Sequence, residues 1–179
     1  RFYLFREVSF GQDGSISTAG FETRYESELA NDFGNLASRS LAMVSRYRDG
    51  LVPDSTVDPM LAADFDGIVG RVSALLDEAQ ISQALEEIWV VVRRMNRYVE
   101  ETQPWVLAKD DGDAERLDQV LYNLVEGLRI LTLLLHPYLP ESSEVLAAAL
   151  GQSGLGLEDF GSRGGGQSVE RIEPLFPKL

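Results

Sequence analysis

The chain has 179 residues and 44% hydrophobic content, enough for one well-buried core or for one domain with a tail. It has no cysteine and a single histidine, His136, which excludes disulfides, thiolate zinc sites and any histidine-based metal or catalytic cluster. The formal net charge of -13 argues against a nonspecific nucleic-acid binder, because such proteins gain affinity by replacing phosphate counterions with Lys and Arg.

The charge is unevenly spread. Acidic residues dominate 54–66, 110–118 and 141–159, while two short groups, Arg39, Arg46 and Arg48, then Arg93, Arg94 and Arg97, hold six of the 16 basic residues. A selective reader of a few exposed bases could use such groups within an acidic whole. The longest strongly apolar stretch, Leu128 to Leu135, is too short to span a membrane. The lack of cysteine fits a cytoplasmic protein.

The chain opens on Arg1 followed by Phe2-Tyr3-Leu4-Phe5, which reads as a strand entered partway, so a natural start is expected to be missing. Phe10-Gly11-Gln12-Asp13-Gly14-Ser15 reads as a turn. A helix is expected from Ser17 or Thr18 to about Tyr47, with Tyr25, Leu29, Leu36, Met43 and Tyr47 at helical intervals, ended by Gly50 and Pro53. A second runs from Pro59 to about Ala79, its continuity weakened by Gly67 and Gly70. The third, from about Ser82 to Gln103, places Leu85, Ile88, Val92, Met95 and Val99 on one stripe, and Pro104 stops it.

Ala114 to Leu135 carries Leu117, Leu121, Leu124, Leu128, Leu131 and Leu135 at helical spacing and is the strongest core helix. His136, preceding Pro137, is expected to leave the helical region, and Ser142 or Ser143 to cap a last helix ending at Leu150. The glycine-rich Gly161-Ser162-Arg163-Gly164-Gly165-Gly166 lacks the lysine of a phosphate loop and reads as a flexible linker. The tail from Ser168 is expected to fold back through Ile172, Leu175 and Phe176. The fold class is therefore all-α, an antiparallel bundle of about five helices with a short N-terminal strand and turn and an irregular C-terminal tail.

Three features could carry recognition. Trp105, after Pro104, is either a stacking platform for a base or a core tryptophan closing the bundle end. Asn35, Arg39 and Arg46 fall within roughly 40° of arc on their helix. That stripe suits reading of base edges by an amide and a guanidinium, or is a solvated face. Arg93, Arg94 and Arg97 could steer phosphates, although Arg97 is placed to pair with Glu100 and Glu101. Glu86-Glu87 and Glu100-Glu101 are assigned to solvent.

Read together and in order, Arg6-Glu7-Val8-Ser9-Phe10-Gly11-Gln12-Asp13-Gly14, Asn35-Leu36-Ala37-Ser38-Arg39, Asn96-Arg97-Tyr98-Val99-Glu100-Glu101-Thr102-Gln103-Pro104-Trp105 and Glu173-Pro174-Leu175-Phe176-Pro177-Lys178 resemble the C-terminal, anticodon-reading half of bacterial methionyl-tRNA synthetases. The family usually has proline where this chain has Ser9. The resemblance implies that Trp105 stacks on an anticodon base with Pro104 positioning it, and that Asn35 and Arg39 contact the anticodon. Arg46, Arg93, Arg94 and Arg97 remain candidate backbone contacts, and Asn96 lies on the motif but reads as structural.

No His-Ile-Gly-His-like or Lys-Met-Ser-Lys-Ser-like segment is present, so the chain is read as inactive alone and as part of an enzyme that joins methionine to its tRNA with ATP. The implied organisation is a connector over 1–20, the helical anticodon-binding domain over 21–150, and a linker and tail over 151–179. The implied partners are methionine-accepting tRNA and a catalytic domain of the same polypeptide, with no membrane, DNA, metal or cofactor at this segment. The alternatives are a helical protein-interaction module and the equivalent domain of another class I synthetase.

Overall fold

The computed structural model describes residues 1–152, 154, 156 and 160–179. Ser17 begins the first long helical stretch as its cap, its side chain accepting the Gly20 N–H at 3.0 Å. This stretch is continuous but not uniform: α2 (Thr18–Arg24) passes into a π-helical segment, Tyr25–Gly34, and then into α3 (Asn35–Arg48). Asp49, with φ 52°, ends it in the left-handed conformation.

The second stretch is broken where the sequence weakens it. Asp58 caps α4 (Pro59–Phe65) through the Met60 N–H, and Gly67, at φ 65°, separates it from α5 (Ile68–Asp77). The third is α6 (Ile81–Thr102), followed by the one-turn α7 (Pro104–Leu107), α8 (Ala114–Leu135) and α9 (Pro140–Ala149). The predicted stripe of α6 is buried throughout, as are the six leucines named on α8. α8 runs through the middle of the molecule, with every residue from Val120 to Leu135 buried.

The all-α bundle is as expected, with one refinement of direction. α5 and α6 form an antiparallel pair pinned by Arg71 and Glu87, and α6 crosses α8 where Met95 meets Gly127. A Cβ on Gly127 would lie 3.0 Å from Phe65 Cζ and closer still to the Met95 thioether, so the glycine sets how near the helices come. By contrast α3 and α6 run side by side in the same sense, because α4 and α5 return the chain between them.

The N-terminal strand is not formed: Phe2–Glu7 is a helix, α1. Helical spacing brings Phe2, Phe5 and Arg6 to one side, where Phe2 meets Trp89 at 5.0 Å, Phe5 meets Tyr138 edge-on at 5.8 Å, and Arg6 pairs with Glu28 and Glu86. A strand would have turned Leu4 to the same side, and it is instead exposed. Two smaller expectations also fail. His136 keeps helical angles, its N–H bonded to the Leu133 carbonyl at 3.3 Å, and α9 begins at Pro140 with no side-chain cap from either serine.

The tail packs back as expected, with Phe176 in the core and Ile172 and Leu175 against it. The glycine-rich stretch is docked on the bundle in place of the flexible linker that its composition suggests. The buried pair Glu126–Arg129 receives the Gly161 N–H at 2.9 Å, Tyr122 donates to the Arg163 carbonyl at 2.8 Å, and Gly166 and Val169 hydrogen-bond the chain just beyond α3.

Candidate nucleic-acid interface

The site forms where α6 ends. Gln103, with φ 46°, takes a left-handed conformation without being glycine, and so turns the chain sharply before Pro104. Pro104 is buried at the first position of α7, where its missing N–H costs nothing. Trp105 follows, half-buried, with part of its ring packed on the core. The fully buried tryptophan is Trp89, so the role of core indole falls to Trp89.

Arg39 covers the Trp105 ring, its Cζ 5.6 Å from the centroid, and the same guanidinium donates to Glu100 Oε1 at 2.9 Å. Each contact is weak alone: an exposed cation–π contact is worth about 0.5–1 kcal/mol and an exposed ion pair about 0.2–1 kcal/mol. Together they aim the guanidinium fork and leave the ring flanked by a rigid donor. Asn35 is exposed one turn before Arg39 on the same stripe of α3. The structure thus brings Trp105, Pro104 and Arg39 into one place, with Asn35 alongside.

The end of the bundle beneath them is braced by a polar network. Asp58 accepts from Tyr98 at 2.7 Å and Arg116 at 2.6 Å, and its own N–H donates to Asn123 at 2.9 Å, tying the start of α4 to α6 and α8. Burial pushes the Asp58 carboxyl up, but the Met60 N–H, the Tyr98 hydroxyl and Arg116 outweigh it and hold the group below the usual carboxylate range. Burial and the neighbouring Asp58 raise the Tyr98 phenol, so it stays a neutral donor.

The other arginines divide. Arg94 is largely occupied, bonded to Asp64 and Glu101 at 3.1 Å each and to the Met60 carbonyl at 3.0 Å. Arg93 pairs with Glu86 at 2.5 Å, and Arg46 is exposed, its guanidinium 5.7 Å from the Tyr47 ring and with no contact to the Trp105 site. Arg97 was expected to pair with Glu100 or Glu101, but those carboxylates are taken by Arg39 and Arg94. It is exposed and makes no ion pair among the described residues.

The carboxylates assigned to solvent are likewise engaged, Glu86 by Arg6 and Arg93, Glu87 by Arg71. Sequence reasoning also missed Asp32 and Trp89. The Trp89 indole N–H donates to Asp32 Oδ2 at 3.2 Å, and Asn96 donates to the Asp32 carbonyl at 3.1 Å, which makes Asn96 structural as its position suggested. Burial is the main cause that raises the Asp32 carboxyl above its ordinary value. The seven-residue spacing of Trp89 and Asn96 was the available signal.

Among the described residues no group of three or more His, Cys, Asp or Glu could hold a metal ion, and no helix is long and apolar enough to cross a membrane. The arrangement offers stacking, hydrogen-bond donors and charge.

Comparison with known proteins gives the same direction. The family described as "Anticodon binding domain of methionyl tRNA ligase" matches residues 53–160, and "tRNA synthetases class I (M)" matches residues 1–41. Methionine–tRNA ligases of Caldanaerobacter subterraneus subsp. tengcongensis and Clostridium perfringens are 40% and 37% identical, each aligned over all of this chain and 29% of its own length. The apo crystal structure of Mycobacterium tuberculosis methionyl-tRNA synthetase superposes with a TM-score of 0.91 at 36% identity, covering 99% of this chain and 38% of that one. The chain therefore spans under a third of the curated relatives it matches. It belongs to the methionyl-tRNA ligase family and carries that family's anticodon-binding domain.

Proposed function

We propose that Trp105, Asn35 and Arg39 form the surface on which the anticodon loop of a methionine-accepting tRNA docks, so that a catalytic domain of the same polypeptide can attach methionine using ATP. The observation that carries this reading is the Arg39 guanidinium held over a half-buried Trp105 ring by Glu100. An unstacked base of the loop finds an aromatic face there, worth roughly 1–3 kcal/mol, and its edge meets the donor fork of Arg39 and the amide of Asn35. Pro104 fixes the ring. Exposed Arg97, and Arg46 and Arg93 more peripherally, serve the phosphates; Arg94 contributes mainly to the fold.

In this division residues 1–20 connect the catalytic domain to the bundle, 21–150 bind the anticodon, and 151–179 close the bundle from outside. The site itself uses no cofactor or metal, and the enzyme works in the cytoplasm. A basic protein partner for the acidic faces, or a tRNA of another amino acid, are the competing readings. Titrating the chain with anticodon stem-loop RNAs and following tryptophan emission separates them, with Trp105→Phe as the control that assigns the change to Trp105 and not to the fully buried Trp89. Saturable, salt-sensitive quenching by the methionine anticodon loop supports the proposal; no response at high RNA concentration overturns it.

A further inference from the structure

A π-helical run is an unusual thing for a chain to adopt. Its i to i+5 hydrogen bonds are rarely sustained and occur mostly as single bulges, frequently at functional sites. Here ten residues, Tyr25–Gly34, take this form immediately before Asn35, so the geometry of this segment sets the rotation at which α3 leaves it. Something outside the segment has to hold it.

α6 supplies two donors seven residues apart, hence on one face and about 10.5 Å apart along its axis. Both converge on Asp32. The Trp89 indole N–H takes its carboxylate and the Asn96 amide takes its carbonyl, while the N–H of Asn35 itself also donates to that carbonyl. On the opposite side Gly34 lies against the tail, where a Cβ would meet the Leu29 carbonyl at 2.9 Å and the Phe176 ring at 3.1 Å. Farther along α6, Glu100 grips Arg39, and beyond it stands Trp105. The helix that ends at the stacking ring is thus the one that pins the turn ahead of the base-reading residues.

We propose that Asp32 is a positioning residue for anticodon recognition, which locks the wide helical turn before Asn35 and thereby turns Asn35 and Arg39 toward Trp105. The inference rests on the anticodon reading given above. Asp32 touches no RNA in this account. Its electrostatic neighbours are Arg93 on α6 and Glu28 within its own segment, and among the described residues the donor to its carboxylate is the Trp89 indole.

The test uses the full chain and two anticodon hairpins, one with the methionine anticodon and one with a single anticodon base changed. The ratio of their dissociation constants is the readout, with the Trp89 indole N–H followed by NMR. Asp32→Ala removes the acceptor and is expected to shift the indole signal and cut the ratio by about tenfold, the scale set by an orphaned buried donor. Asp32→Asn keeps an acceptor oxygen and should restore the ratio. Leu146→Ala, destabilising but remote on α9, should lower the melting temperature and leave the ratio intact. Should Asp32→Ala not fold, Trp89→Phe removes the indole N–H together with part of the buried ring, and should give the same loss of ratio while Leu146→Ala, which also opens a core void, does not. A folded Asp32→Ala or Trp89→Phe with the wild-type ratio, or an equal loss in Leu146→Ala, overturns the inference while leaving the anticodon reading standing. A wild-type chain that does not discriminate the hairpins overturns that reading, and this inference with it.

Discussion

Arg39 lies over the ring of Trp105 and is held there by Glu100, so that a residue of α3 and a residue beyond α6 meet at one end of the bundle. Neither contact is strong, and the value of the arrangement is directional. The guanidinium cannot swing away without giving up both partners.

Glu100→Gln tests that directional role. The ion pair is exposed, with side-chain accessibilities of 36% and 59%, so its loss should change stability by less than about 1 kcal/mol. Discrimination between anticodon hairpins should fall nonetheless, because Arg39 is no longer aimed. Urea denaturation alongside hairpin binding checks both halves, and a large stability loss with unchanged discrimination would contradict the account.

Arg97 and Arg94 sit three positions apart on α6 and should behave differently. Arg97, free of ion pairs among the described residues, is available to phosphate, and Arg97→Ala should weaken all hairpins alike and lower the slope of log affinity against log salt by about 0.7–1. Arg94→Ala breaks bonds to Asp64, Glu101 and Met60, and should register chiefly as lost stability. Binding measured across a salt series, with melting curves for each variant, distinguishes them.

That contrast shows where the sequence stops being legible. The periodic leucines of α8 and the stripe of α6 announce themselves, because a buried helix face needs only one-dimensional spacing to be read. Trp105 and Arg39 could be named through motif likeness, but their contact depends on α3 and α6 running in the same sense, which no local pattern encodes. Phe2-Tyr3-Leu4-Phe5 was ambiguous between helix and strand because four consecutive apolar residues satisfy either period, and the choice is made by Trp89 and Glu86 far along the chain. The same holds for Glu100 and Glu101, whose nearest arginine in sequence is not the one they pair with.

Asp58 and Asp32 predict opposite responses to acid. The folded state holds Asp58 below its ordinary value, so its contribution is present above the unfolded carboxylate range and is lost as pH falls through the folded value. Asp58→Asn should therefore cost about 1.5–3 kcal/mol at neutral pH, with the gap to wild type closing in strong acid. Asp32 is raised in the folded state, so its ionised form opposes folding above that value and the opposition fades as pH falls through it. Asp32→Asn should accordingly be neutral or stabilising at neutral pH and lose that advantage in acid. Urea midpoints for the three proteins across the acid range check both signs.

The stacking of an anticodon base on Trp105 is the claim on which the function rests. Its most direct measurement is the affinity of wild type and Trp105→Ala for two hairpins differing only in the anticodon. Wild type should prefer the methionine anticodon, and Trp105→Ala should bind that hairpin tenfold to a hundredfold more weakly, the roughly 1–3 kcal/mol of one stacked base, and lose most of the preference. A folded Trp105→Ala protein that keeps both its affinity and its discrimination would contradict the account.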